Sequence, residues 1–315
     1  MKKKILWSIL AVIGLLFVGF SVYISIQVAD GTTHLADRED TYENSLTYLK
    51  EHDFDLNQFK KDHKMIFSKI TSSAFGHKIP LLEVKTSAPS KGAVIMVHGL
   101  GGSKESILPI SQMFLDLGYD IYAYDQRNSG ENMAETNTFG VLESKDLEDV
   151  THRVAKTLDS NQTLILWGES FGGATVGLGA KNLSKDVDYL ILDSPVADGE
   201  AMTRQELNNI SEETGLPLDY MLTLGDWNLR ISQGFSLTDS KVAEQINEVP
   251  TPLLIFHSKT DEVVPYTMGQ EIFQASPAKH KKFISVDQGE HASLFYEQTD
   301  LYRQSIEQFL NQTSD

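Results

Sequence analysis

Apolar and polar positions along the chain follow two regimes. The first is an uncharged, mostly apolar stretch from Ile5 to Ala29, preceded by Lys2, Lys3 and Lys4. As a helix it would be roughly 38 Å long at 1.5 Å per residue, which exceeds the ~30 Å hydrocarbon core of a bilayer. A cleavable signal peptide shares the basic start but has an apolar region of only about 7 to 15 residues, and Ala29-Asp30-Gly31 is a poor cleavage pattern. No charge interrupts the run to mark a solvent face, as it would in an amphipathic core helix. The stretch reads as an uncleaved transmembrane anchor over residues 5–29 with a basic tail at 1–4. The lysines stay cytoplasmic by the positive-inside rule, Asp30, Asp37, Glu39 and Asp40 lie beyond the other face, and the rest of the chain sits outside the cell.

Residues 30–64 are charged and carry a weak helical pattern through Tyr42, Leu46, Leu49, Phe54 and Phe59, as expected for a stalk and an edge helix packed on the catalytic domain. The second regime begins at Ile66. Short apolar runs alternate with amphipathic stretches, the pattern of a mainly parallel sheet covered on both faces. Strands are predicted at Ile66–Ser72, Lys78–Lys85, Ala93–Val97, Asp120–Tyr124, Thr163–Trp167, Tyr189–Leu192, Pro252–His257 and Lys282–Val286, the first two as an antiparallel edge hairpin about Gly76. Helices are predicted near Lys104–Leu117, Lys145–Leu158, Phe171–Ala180, Met268–Gln274 and Leu301–Leu310. The alternation stops between Ser194 and Val249, where only two helical patterns occur, around Glu200–Glu213 and Leu218–Ile231. This insertion, at about 196–248, reads as a small helical cap whose Met202, Met221, Leu222, Trp227 and Phe235 either line an acyl pocket or pack the cap.

Composition narrows the classes. The net charge of −17, with Lys and Arg clustered only at the N-terminus, argues against a nucleic-acid partner. The absence of cysteine removes disulfides, thiolate catalysis and cysteine-ligated zinc together, and an exported chain without cysteine reads as bacterial.

The chemistry centres on Gly168-Glu169-Ser170-Phe171-Gly172, which follows the apolar run Thr163–Trp167 and precedes the small-residue run Gly173–Gly177. A strand, a sharp turn and a helix put Ser170 at the apex, where flanking glycines leave room for a strained backbone and an exposed hydroxyl. A serine is a weak nucleophile until a base takes its proton, and that base needs a carboxylate to orient it. His291 lies on the loop leaving the last predicted strand, and Asp261 on the loop leaving the strand before it. Asp193 and Glu262 are the rival acids, Asp193 reading as a structural acid near the cap. The glycine turn His98-Gly99-Leu100-Gly101-Gly102 follows the strand Ala93–Val97, so the backbone N–H groups of Leu100 and Phe171 are the expected oxyanion donors. His98 is expected to hydrogen-bond locally.

These segments, with Asp125-Gln126-Arg127-Asn128-Ser129-Gly130 and the chain order Ser, Asp, His, resemble the α/β-hydrolase superfamily over about Ile66 to Leu310. Within it the chain is similar to membrane-anchored or exported bacterial hydrolases related to serine aminopeptidases and carboxylesterases. The resemblance implies an α/β-hydrolase fold over 65–315, an eight-stranded, mostly parallel sheet with helices on both faces and a helical cap. It also implies hydrolysis of a small-molecule acyl substrate through an acyl-enzyme, with no cofactor or metal. Asn128 departs from the glycine usual at its place, and only a local change is expected there. A carboxylesterase for small or medium acyl esters is the leading expectation. A serine peptidase would use the same groups and needs a carboxylate cluster for a free amine, for which Glu200, Glu206, Glu212 and Glu213 are available. A catalytically silent surface-binding module is the reading from another class.

Overall fold

The computed structural model describes residues 2–312. The chain divides into two compact units, one formed by the stretch through His34 together with Gly199–Asp239, the other by Leu35–Asp198 and the chain from Ser240 onward.

The larger unit is built on one eight-stranded sheet: β1 (Met65–Thr71), β2 (Lys78–Val84), β3 (Gly92–Val97), β4 (Asp120–Tyr124), β5 (Thr163–Glu169), β6 (Tyr189–Asp193), β7 (Leu253–Ser258) and β8 (Lys281–Val286), in the order β1-β2-β4-β3-β5-β6-β7-β8. Only β1 with β2 and β2 with β4 pair antiparallel, and the other neighbours are parallel. Residues in β3 through β7 read as continuous apolar runs because helices cover both faces of that part of the sheet, leaving no side for water. Leu164, Ile165, Leu166 and Trp167 in β5 are all buried, and each such side chain contributes about 1.5–3 kcal/mol by leaving water. The Trp167 indole N–H donates to the Tyr302 hydroxyl at 2.9 Å, so the largest core side chain has its one polar atom satisfied.

The helices of this unit are α2 (Arg38–Glu51), α3 (Leu56–Asp62), α4 (Leu108–Asp116), α5 (Glu143–Ala155), α6 (Phe171–Leu183), α9 (Val242–Ile246), α10 (Tyr266–Ala275), α11 (Leu294–Glu297) and α12 (Thr299–Gln312). Helix α4 begins at Leu108, later than the pattern implied, because residues after the glycine turn make a turn whose Lys104 backbone N–H donates to Asp125 at 2.9 Å.

Helix α2 lies in the stretch read as a stalk and an edge helix packed on the catalytic domain, and it packs on that domain. Its buried residues are Thr41, Ser45 and Leu49, a stripe at four-residue spacing, while Tyr42 is exposed. Ser45 Oγ accepts the Ser103 N–H at 2.9 Å, and Thr41 Oγ1 accepts the Gly130 N–H at 2.8 Å. The helix is thus seated on the loops that follow β3 and β4.

The smaller unit contains α1 (Lys2–Thr33), α7 (Gly199–Thr214) and α8 (Leu218–Ser232), followed by a 3-10 turn at Leu237–Ser240. Helix α1 continues four residues past the end of the apolar run at Ala29. It is long and apolar enough to cross a membrane, and its most apolar part is not buried. It is consistent with a single-pass anchor or a signal.

Candidate active site

Strand β5 ends at Glu169 and α6 begins at Phe171, so Ser170 alone makes the turn between them, with φ 53° and ψ −119°. An L-residue at positive φ is strained, and the surroundings enforce it. The Ser170 N–H donates to the Asp193 carbonyl of the neighbouring strand at 2.7 Å, and the Ser170 carbonyl accepts from Gly173 at 3.0 Å. The turn also needs bare backbone after the serine: a Cβ at Gly172 would overlap the carbonyl oxygens of Val97 and His98 at the end of β3.

The structure brings Ser170, His291 and Asp261 together. His291 Nε2 is 2.8 Å from Ser170 Oγ, and His291 Nδ1 is 2.7 Å from Asp261 Oδ2. Asp261 lies in the loop after β7 and is buried; its other oxygen, Oδ1, accepts the N–H groups of Val263 and Val264 at 2.9 and 2.8 Å. Burial alone would raise its pKa, but hydrogen bonds from His257 and His291, the imidazole charge and the Val264 N–H together hold the carboxyl well below the usual range. It stays an anion across ordinary pH. His257, fully buried on β7, lies 3.4 Å from Asp261 Oδ2 and 3.0 Å from the Val264 carbonyl. Sequence reasoning passed over this second imidazole, although its place four residues before Asp261 was visible.

The rival acids stand elsewhere. Glu262 is exposed. Asp193 is buried at the end of β6, in register with Glu169 on β5, and Oδ1 accepts the Ser194 hydroxyl at 3.2 Å. Neighbouring parallel strands therefore set two carboxyl groups side by side behind the serine. Burial and the Asp193 charge push Glu169 up to about 7, and burial pushes Asp193 up to about 6 against the hydrogen bonds of Tyr302 and Ser194. Burial, then the Glu169 charge, also pushes the Tyr48 hydroxyl upward. Tyr48 and His52 of α2 pack on Tyr296 of α11, with ring centroids 5.7 and 3.8 Å away.

The glycine turn after β3 lies against the nucleophile: a Cβ on Gly99 would be 3.5 Å from that of Ser170. The Gly99 N–H donates to Glu169 Oε1 at 3.4 Å. Leu100 sits at the crest of this turn with its side chain 42 % exposed. Phe171 is the first residue of α6, where the opening N–H groups of a helix lack intrahelical acceptors. His98 is buried, with Nδ1 2.7 Å from the Gly99 carbonyl, and Nε2 accepts the Gln126 N–H at 3.1 Å. Burial lowers its pKa, so it is neutral and locally engaged.

Asn128 occupies the family's glycine position with φ 52°, a conformation asparagine tolerates better than other side chains. Its amide donates to the Ala36 carbonyl at 2.9 Å and to Asn137 Oδ1 at 3.0 Å. The expected local change is a side-chain tether to the chain entering α2.

Of the residues read as either lining an acyl pocket or packing the cap, Met221, Leu222 and Phe235 are buried, Met202 is half-buried, and Trp227 is 67 % exposed and is no part of a closed lining. Glu206, Glu212 and Glu213 are exposed on α7, and Glu200 Oε1 lies 3.8 Å from Arg204.

Known proteins resemble this chain in sequence and in fold. The α/β-hydrolase fold model matches residues 92–214, and the serine aminopeptidase S33 model matches residues 218–299. The uncharacterized protein YqkD of Bacillus subtilis is 26 % identical over 263 residues, covering 82 % of this chain and 83 % of that protein. Lysophosphatidylserine lipase ABHD12 of Macaca fascicularis is 24 % identical over 232 residues, covering 69 % of this chain but 54 % of the lipase. Among solved structures, the Pyrococcus furiosus esterase Pf2001 superimposes with a TM-score of 0.64 at 17 % identity, covering 81 % of this chain and 93 % of the esterase. The chain belongs to the α/β-hydrolase superfamily. It is a hydrolase of that fold.

Proposed function

We propose that this protein is a serine carboxylesterase acting on small or medium acyl esters through an acyl-enzyme, held at the outer cell surface by its N-terminal helix. The observation that carries the reading is the 2.8 Å approach of His291 Nε2 to the hydroxyl of a serine held at positive φ. Ser170 Oγ attacks the ester carbonyl as His291 takes its proton. Asp261, bonded to Nδ1, fixes the tautomer that leaves Nε2 free to accept and stabilises the imidazolium. The developing oxyanion is met by the backbone N–H groups of Leu100 and Phe171. The alcohol leaves with the proton from His291, and a water activated by the same imidazole then cleaves the acyl-enzyme and restores Ser170. The esterase likeness favours esters over peptides. The exposed glutamates of α7 give no closed carboxylate cluster for a free amine. Lys2, Lys3 and Lys4 keep the N-terminus cytoplasmic.

The test is turnover of p-nitrophenyl butyrate by the full chain in detergent. Ser170→Ala is expected to lower kcat by at least about 10³-fold and to abolish labelling by a fluorophosphonate. Equal turnover by the two proteins would favour a silent binding module instead.

A further inference from the structure

Helix α1 has two halves with different surroundings. From Ile5 to Phe20 its side chains stand exposed, as 56 % for Ile5 and 44 % for Phe20 illustrate. From Ser21 onward it packs on α8. The Ser21 hydroxyl shares a 2.7 Å hydrogen bond with that of Tyr220, and the Asn228 amide donates to Ser25 Oγ at 3.0 Å. The Phe17 and Tyr220 rings lie 6.3 Å apart. Gly225 allows a close approach, because a Cβ there would run into the Val28 side chain. A glycine that admits a branched side chain, flanked by hydroxyl and amide bonds, makes a closely packed helix pair. The two helices run parallel, so the start of α8 is level with Phe17 to Ser21, and the rest of α8 accompanies α1 toward Thr33.

That alignment sets a depth. The turn from α7 into α8 carries Glu212, Glu213 and Asp219, all exposed, and Asp219 pairs with Arg204 at 2.8 Å. Ionised carboxylates are excluded from hydrocarbon, so the apolar core of the bilayer ends near Ser21. The geometry points to a membrane span of only Ile5 to about Phe20, with the α7–α8 turn seated in the headgroup layer and Ser21–Thr33 retained as a structural strut of the helical insertion. Such a span is roughly 24 Å long at 1.5 Å per residue. Lys3 and Lys4 can reach the opposite headgroups by extending their stems, and modest bilayer thinning makes up the rest. The inference rests on the anchor reading above and adds to it: the helix is both anchor and structural partner, and removal after Ala29 would strip Ser21, Ser25 and Val28 from α8.

The chain has no native cysteine, so introduced pairs report without background. The full chain carrying Ser25→Cys and Asn228→Cys, in vesicles of phosphatidylcholine and phosphatidylglycerol, is expected to be mostly protected from maleimide after mild oxidation. Asn228→Cys alone should remain fully reactive after the same oxidation, and adding Gly225→Val to the first pair should restore reactivity. A bimane label at Leu216→Cys should be quenched at least about twofold more by headgroup spin-labelled lipid than one at Ile231→Cys. Intact mass and pelleting with the vesicles test the anchor separately. A chain that begins at Met1, pellets, and yet leaves both Ser25→Cys and Asn228→Cys reactive overturns the strut while sparing the anchor. Equal quenching at Leu216→Cys and Ile231→Cys overturns the headgroup placement. A mature chain that begins after Ala29 removes anchor and strut alike.

Discussion

At the scale of single residues, the pair Glu169 and Asp193 carries the most consequence for pH. Glu169 is raised from 4.5 to about 7 by burial and the Asp193 charge, so its protonated form favours the folded state. That stability is fully present below about pH 4.5 and is lost as pH rises through about 7. Asp193, raised from 3.8 to about 6, acts in the same direction over a lower window. Asp261 acts oppositely, its contribution being present above the ordinary aspartate range and lost on acidification. Glu169→Gln removes the ionising partner while keeping its size. It is therefore expected to melt roughly 2–4 °C above the parent at pH 8, a gain on the order of 1 kcal/mol, and to converge with it by pH 5. Thermal melts at the two pH values check this, and a variant less stable at pH 8 than at pH 5 relative to the parent contradicts it. The pairing itself was hidden in the sequence. Glu169 and Asp193 are 24 positions apart, and only the parallel register of β5 and β6 sets them side by side.

At the scale of elements, the strands were the most legible, since a parallel sheet covered on both faces needs runs with no polar side, and such runs are conspicuous. The three site groups were legible for a related reason: each follows a strand end, where loops converge at one edge of the sheet. Helix α2 was legible as a helix packed on the domain, and of its apolar pattern Leu49 is buried, Leu46 half-buried and Tyr42 exposed. The rest of its buried stripe is Thr41 and Ser45, two hydroxyls that apolar periodicity does not register. Hydroxyl groups bury well when they accept backbone N–H bonds, as Ser45 does from Ser103, and a hydropathy pattern cannot register that. The turn at Ser170 gives the element-scale prediction. Gly172→Ala would press a methyl into the carbonyls of Val97 and His98, and β3 leads directly into the turn that carries Leu100. The change should cost about 1–3 kcal/mol and reduce fluorophosphonate labelling of Ser170 along with it. Parental labelling in a folded Gly172→Ala protein would show that the contact between α6 and the end of β3 does not govern the site.

At the scale of the whole molecule, the question is why a hydrolase chain should carry a helix of 32 residues when a shorter one would cross a membrane. Two deletions separate the answers. Removing residues 2–20 takes away the exposed apolar half and leaves Ser21, Ser25 and Val28 to meet Tyr220, Asn228 and Gly225. Removing residues 2–34 takes away the packed half as well and uncovers the Gly225 face of α8. If the second half of α1 is only a spacer, the two proteins should resist protease equally. If it is a strut, the longer deletion should be cut rapidly within residues 199–239 while the shorter one resists, because the uncovered helix has lost its buried partners and opens locally. Mass spectrometry of the first fragments distinguishes the outcomes, and similar lifetimes for this segment in both proteins would reduce α1 to a tether.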